Sequence, residues 1–235
     1  MSEREALLRR FHAERPGITS EVFAGRGSYA RLAAAVAGGD RVLDLGCGDD
    51  HLIALCGPRA VGIDLAPARR VGQRALVTGR AQALPFADRA FDACVSHLAF
   101  MLFDELDAVV RELRRVTVPG GRFAAVLGGG PTAERGAGER DAFHAFLDVA
   151  ALAGPRLGDR RASHEAGWRA LFGGAPRFER FVIDLSGPFD QVWRFLGASY
   201  QLTDAAAARA ALAGQFAGRA VVPCRVVMWL ATVEL

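Results

Sequence analysis

The chain contains no lysine and no asparagine. Without lysine there is no Schiff-base chemistry, no phosphate-loop lysine and no lysine general base. All 29 basic residues are therefore arginines, set against 26 acids and scattered among them. A nucleic-acid-binding face would be expected to gather them into a stripe, so no nucleic-acid partner is expected. Cysteine is scarce too. Cys47, Cys56, Cys94 and Cys224 show no C-x-x-C spacing and are expected to be reduced packing residues, with no metal site. The longest apolar run, Val226 to Val233, falls far short of the ~20 residues of a membrane-spanning helix. The start, Ser2-Glu-Arg-Glu5, is too charged for a signal peptide. A cytoplasmic protein with no membrane partner is the expectation.

What is present is an ordinary globular composition. Of 235 residues, 51% are apolar and 23% charged, with a net charge of +3, enough for one domain with a sizeable core. The wealth of alanine, arginine and glycine is a coding bias of high-GC bacterial genomes. Helix is predicted at 3–15, ending before Pro16-Gly17, and at 29–37, capped by Ser28 and ended by Gly38-Gly39. Then strands at 41–45, 60–64, 79–82, 91–96 and 121–127 alternate with helices at 50–57, 66–76 and 104–115. Near-continuous apolar strands in such alternation predict a parallel sheet covered on both faces. Beyond Leu127, Gly128-Gly-Gly-Pro131 and the stretch to Arg140 read as a connection. Helices are predicted at 140–152, 163–172, 188–197 and 203–213, and strands at 178–185 and 221–233.

The most informative segment is Val42-Leu-Asp-Leu-Gly-Cys-Gly-Asp-Asp50. A strand that ends in glycines and opens a helix lets the backbone approach a ligand closely. A second apolar strand, Val61-Gly-Ile-Asp64, ends in an acid where a ribose would be met. A nicotinamide fingerprint wants G-x-G-x-x-G, and no glycine stands at 51. Further on come Gln82-Ala-Leu-Pro-Phe86, Phe91-Asp-Ala-Cys-Val-Ser-His97 and Arg115-Val-Thr-Val-Pro-Gly-Gly-Arg-Phe123.

These five elements, in this order and spacing over residues 40–127, closely resemble the class I S-adenosylmethionine-dependent methyltransferases, in particular their small-molecule branch. The resemblance implies a Rossmann-like α/β fold with a mostly parallel seven-stranded sheet, helices on both faces and an antiparallel last strand. It implies a helical N-terminal cap at 1–40, the cofactor-binding core at 41–127, a helical lid at 128–176 and C-terminal elements completing the sheet at 177–235. It further implies S-adenosylmethionine as cofactor, with S-adenosylhomocysteine as product. Asp44 would lie near the cofactor's amino group, with Gly46, Cys47 and Gly48 passing under its methionine part. Asp64 would take the ribose hydroxyls and Leu65 would lie against the adenine. Ala81, Gln82 and Ala83 would flank that ring, and Ser96 and His97 would line the floor near the sulfonium. Tyr29 would reach the cofactor carboxylate or pack. The chain departs from the family pattern at Asp50, where a third glycine is usual and where the side chain could cap the next helix. It departs again at Arg80-Ala-Gln82, where an acid often faces adenine.

Methyl transfer needs a base only when the acceptor must lose a proton. Without lysine the candidates are histidines. His97 is the best placed, as base or as wall residue, and His12 follows, as base or as solvated surface. His51 is expected to be structural, and His144 and His164 to lie in the lid. Phe100, Met101, Phe143, Trp168, Phe172, Trp193 and Tyr200 are expected either to line an apolar acceptor pocket or to be plain core. The implied reaction is methylation of an oxygen, nitrogen or carbon of a small, fairly apolar acceptor in bacterial specialised metabolism, by a monomer or homodimer. Two alternatives remain open at this point: a non-methylating relative that carries out a cyclisation or rearrangement, and an RNA methyltransferase.

Overall fold

The computed structural model describes residues 3–15, 17–66, 75–132, 140–152 and 158–235. Its strands are β1 (Val42–Leu45), β2 (Val61–Asp64), β3 (Ala75–Thr78), β4 (Phe91–His97), β5 (Thr117–Pro131), β6 (Arg177–Asp184) and β7 (Arg225–Glu234). They form one seven-stranded sheet in the order β3-β2-β1-β4-β5-β7-β6. The first five are parallel. Strand β7 runs against them. Gly120 N–H donates to the Leu235 carbonyl and Leu235 N–H to that of Gly121, joining the start of β5 to the end of β7. Strand order reverses between β1 and β4, and at such a switch point the carboxyl ends of the strands open a crevice for ligands. The fold expectation is met.

Sequence pattern explains the buried elements. All four residues of β1 are buried, as both faces of a parallel sheet require of its central strands. Helix α5 (Leu106–Val116) buries Leu106, Val109, Val110 and Leu113, the i, i+3, i+4, i+7 stripe of an amphipathic helix.

Several local expectations need correction. A short helix, α2 (Ile18–Phe23), follows α1 (Glu3–Glu14) and was not foreseen. In α3 (Ser28–Ala35) the cap position belongs to Gly27, at φ 90°. Ser28 lies inside the first turn, and its hydroxyl serves another partner. Most of the helix expected at 66–76 lies outside the described residues. Its last residues, with Val77 and Thr78, instead form β3, in register with Val61 to Asp64 of β2, and no strand forms at 79–82 beyond a bridge between Arg80 and Ala83. Gly128-Gly-Gly-Pro131 prolongs β5 instead of leaving the sheet; ladder hydrogen bonds override the weak strand preference of glycine.

The chain divides into two compact units, Met1–Leu127 with Leu157–Arg180 and Trp229–Leu235, and Gly128–Arg156 with Phe181–Met228. In the first, Phe100, Phe123, Trp168 and Phe172 form an aromatic core. Phe123 stacks on Trp168 with centroids 5.4 Å apart, and Phe100 meets both edge-on at 5.0 and 5.4 Å. Phe100, Trp168 and Phe172 are thus core residues by contact and burial. The second unit contains α6 (Ala142–Val149), α8 (Phe189–Ser199) and α9 (Ala205–Gln215). There Phe143, Phe146, Trp193 and Tyr200 pack ring on ring at 5.4 to 6.2 Å. Asp141 caps α6 through Phe143 N–H and also accepts from Arg225 N–H.

Candidate active site

The site is built at the carboxyl ends of β1, β2 and β4. Gly46 and Gly48 both adopt left-handed backbone, at φ 74° and 60°. A Cβ on Gly46 would collide with the Ala99 methyl and lie 3.2 Å from the Phe103 ring, whereas one on Gly48 would meet nothing within 4 Å. Close packing thus demands the first glycine, while the second turns its face to open space. The turn is tied to β2. Gly46 and Cys47 N–H groups donate to the Ile63 carbonyl at 2.8 and 3.1 Å. Asp64 accepts from Gly48 N–H through one carboxylate oxygen and from Ala66 N–H through the other, each at 2.9 Å. The acid expected to read a ribose therefore also holds the glycine turn in shape.

Asp50 stands at the start of α4 (His51–Cys56) but makes no side-chain cap bond there. The neighbouring Asp49 accepts from His51 N–H at 3.1 Å instead, and its other oxygen accepts from the Ser20 hydroxyl of α2. A carboxylate one residue earlier does the capping, because its side chain reaches forward to the N–H two residues on.

Asp44 is 1% exposed, and its Oδ1 has no hydrogen-bond partner among the described residues. Burial, followed by the charges of Asp64 and Asp49, holds its pKa well above the usual carboxylate range. Three carboxylates therefore converge on one strand end with an acceptor atom left bare. A buried acid in that state is relieved by a proton or by a cation. The ammonium group of an amino acid is a cation that also donates hydrogen bonds, so the residues present fit S-adenosylmethionine. Among the described residues no group of three or more histidine, cysteine or acidic side chains could hold a metal ion.

The opposite wall comes from β4 and the N-terminal helices. His97 is 7% exposed. Its Nε2 shares a 2.9 Å hydrogen bond with the Ser28 hydroxyl, and its Nδ1 has no partner among the described residues. The ring stacks on Tyr29 at 3.8 Å and 15° and meets Phe23 edge-on at 5.8 Å. Tyr29 in turn meets His51 edge-on at 4.6 Å. Burial, with a smaller contribution from His51, lowers the His97 pKa to about 3, so the ring is neutral at physiological pH. Burial first, then Asp49 and Asp44, push the Tyr29 hydroxyl far above its ordinary value. Ser96 is fully engaged in architecture, donating to the Leu45 carbonyl at 2.8 Å and accepting from Phe100 N–H at 3.0 Å.

Of the residues expected beside the adenine, Leu65 is half-buried, Ala81 buried and Ala83 exposed. The Gln82 amide donates to the Asp104 carbonyl at 3.0 Å. Helix α5 clamps the segment that follows. Arg115 donates to the carbonyls of Leu84 and Phe86, and Glu112 accepts from Leu84 N–H. The Leu84-Pro-Phe86 and Arg115-Val116 motifs are thus two halves of one brace. The remaining histidines lie on other elements. His12 is half-buried on α1, its ring edge-on to Phe11. His164 caps α7 (Glu165–Phe172) by accepting from Gly167 N–H. His144 lies in α6. Ser20, Phe23, Ser28 and Asp49 join the site without having been foreseen. Only the hydroxyls near Pro16-Gly17 and Gly25–Gly27 could have hinted at helices turning back toward the strand ends.

A methyltransferase-domain family model matches residues 43–125. That match takes in the stretch from β1 into β5, the part of the chain that resembles the class I S-adenosylmethionine-dependent methyltransferases. Among curated proteins, a malonyl-(acyl-carrier protein) O-methyltransferase of Erwinia billingiae is 39% identical over 94 residues, covering 36% of this chain and 37% of that protein. The match thus spans little more than a third of the relative's length. Among solved structures, the YcgJ protein of Bacillus subtilis is similar with a TM-score of 0.58 at 18% identity, over 88% of this chain and 97% of that one. The (4+2) cyclase SpnF is similar with a TM-score of 0.52 at 19% identity, over 96% and 94%. Within the matched residues Asp44 stands one position before the end of β1 and Asp64 ends β2.

Proposed function

We propose that this protein transfers a methyl group from S-adenosylmethionine to an oxygen, nitrogen or carbon of a small, fairly apolar acceptor. The observation that carries the reading is the bare, buried Oδ1 of Asp44 among three carboxylates at the strand switch point. Asp44 receives the cofactor's ammonium, and the turn Gly46-Cys47-Gly48 lies beneath the methionine part. Asp64 retains lone pairs for the ribose hydroxyls beside its two backbone bonds. Leu65 and the Ala81-Gln82-Ala83 segment flank the adenine, and Tyr29 and His97 wall the methionine end.

The cofactor brings a methyl group already activated by the positive charge of a sulfonium. The chain's own contribution is to align the acceptor and exclude water, and such positioning can lower a barrier by ~7–11 kcal/mol. The buried aromatic rings of Phe23 and Tyr29 beside His97 supply a poorly solvated wall, in which electrostatic attraction is stronger than in water. The high-GC composition supports a place in bacterial specialised metabolism.

The test is mass spectrometry of a bacterial metabolite extract incubated with the protein and methyl-labelled cofactor. A labelled product with equimolar S-adenosylhomocysteine is expected. Cofactor binding without S-adenosylhomocysteine, while an extract component changes mass or shape, would replace this reading with a non-methylating one. Label appearing in added RNA would replace the small acceptor.

A further inference from the structure

Two buried polar atoms of the site are bare, and they are of opposite kind. Asp44 Oδ1 can only accept while the acid is ionised; His97 Nδ1 accepts or donates according to the tautomer. The tautomer follows from counting protons. The Ser28 hydroxyl is fully buried, and its one hydrogen bond among the described residues is the 2.9 Å contact to His97 Nε2. If Nε2 carried the imidazole proton, that proton would point at the serine oxygen. The serine's own proton and the bare Nδ1 would then both be buried without partners. If Ser28 donates to Nε2, the serine is satisfied and one group is orphaned, an N–H at Nδ1. One buried orphan is favoured over two.

We infer that Ser28 holds His97 as the neutral Nδ1–H tautomer, making it a hydrogen-bond donor to a carboxylate oxygen of a bound molecule and not a base. Placement supports a carboxylate as the counterpart. In the β1–β4 register Asp44 pairs with Val95, and His97 follows two residues on, so Asp44 and His97 share a sheet face. Strand spacing and two residue rises put their backbones about 8 Å apart. A molecule bearing an ammonium and a carboxylate on one carbon satisfies both bare atoms together, and the methionine end of the proposed cofactor is such a group. An acceptor bearing a carboxylate would satisfy His97 alone. Charge favours the paired arrangement. Asp49 and Asp44 act on Tyr29, which stacks on His97, so an anion here needs its own counter-charge. The ammonium half supplies it. Either way, Ser28 is a positioning residue acting through His97, and His97 takes no proton from the acceptor. The inference rests on the proposed cofactor only for the source of the carboxylate.

Nuclear magnetic resonance of protein carrying isotope-labelled histidine tests this, with His97 assigned by comparison with His97→Gln. In the free protein at neutral pH the proton is expected on Nδ1, and Ser28→Ala is expected to yield a mixture of tautomers. Three additions separate the sources: methylthioadenosine, which lacks the amino-acid end, S-adenosylhomocysteine, and S-adenosylhomocysteine with octanoate. A downfield shift of the Nδ1 proton with S-adenosylhomocysteine but not methylthioadenosine assigns the carboxylate to the cofactor. A shift only when octanoate is present assigns it to the acceptor. A proton on Nε2 in the free protein, or no response to any addition, overturns the inference. Failure to bind S-adenosylhomocysteine in calorimetry would sink the proposed cofactor instead, while the free-protein tautomer still decides the role of Ser28.

Discussion

The ends of β1 and β4 stand side by side, yet they solve the problem of a buried polar group in opposite ways. At β1 the group is an acid crowded by two further acids, with an acceptor atom left bare. At β4 it is an imidazole wrapped in aromatic rings and held by one serine. Burial raises the pKa of the first and lowers that of the second, because it disfavours whichever form is charged. Each strand end is incomplete in the way the other is not. The pair teaches that neighbouring strand ends can keep a bare acidic oxygen and an uncharged ring nitrogen side by side, each held so by burial.

The severest way to break the comparison is to force the two ends apart. Gly46→Ala would drive a methyl into Ala99, just beyond β4, and would strain a left-handed residue. A loss of roughly 2–4 kcal/mol of folding stability is expected in urea denaturation. Gly48→Ala faces open space, so it should show the backbone strain alone, about 1–2 kcal/mol; equal losses at both positions would contradict the packing difference.

Next in size is Asp44→Asn, which keeps shape and removes charge. S-adenosylhomocysteine affinity should fall roughly 10- to 100-fold in calorimetry. The thermal midpoint of the free protein at neutral pH should rise. Because the folded-state pKa of Asp44 is raised, its ionisation makes folding less favourable as pH climbs from the unfolded carboxylate value through the folded one. Loss of affinity together with loss of stability would mean that Asp44 is an architectural residue.

At neutral pH the smallest effect belongs to His97, and it has the opposite sign with pH. A histidine whose pKa is lowered from 6.5 to about 3 binds its proton more tightly when unfolded. Stability is then lost as pH falls below 6.5, by about 2 kcal/mol at pH 5. His97→Gln should flatten that acid slope while leaving neutral-pH folding cooperative. An unchanged slope would mean that the imidazole is not the titrating group.

Much of the β1 end was legible in the sequence and little of the β4 end was. Gly46, Gly48 and Asp64 follow from local rules, since a strand entering a glycine turn and a second strand ending in an acid have few other uses; Asp44 enters only through the family resemblance. Ser28 acts on a partner 69 residues away, and nothing in its neighbourhood betrays that. It reads locally as a helix cap, a role the backbone gives to Gly27. Ser96 and His97 look alike as polar residues ending a buried strand. Alternation of faces sends one to the Leu45 carbonyl and the other to the site. The position of β3 was misread because its four residues follow a helix-compatible stretch and only pairing with β2 selects the strand.

Gly62 carries a consequence of another kind. A Cβ there would lie 2.8 Å from Cys47 Sγ and 2.8 Å from a Leu76 methyl, so the thiol occupies the volume that any side chain at position 62 would need. Position 62 is therefore tied to both neighbours: among descendants of this sequence, a larger residue at 62 should arrive only with room made at 47 and at 76 together, or not at all.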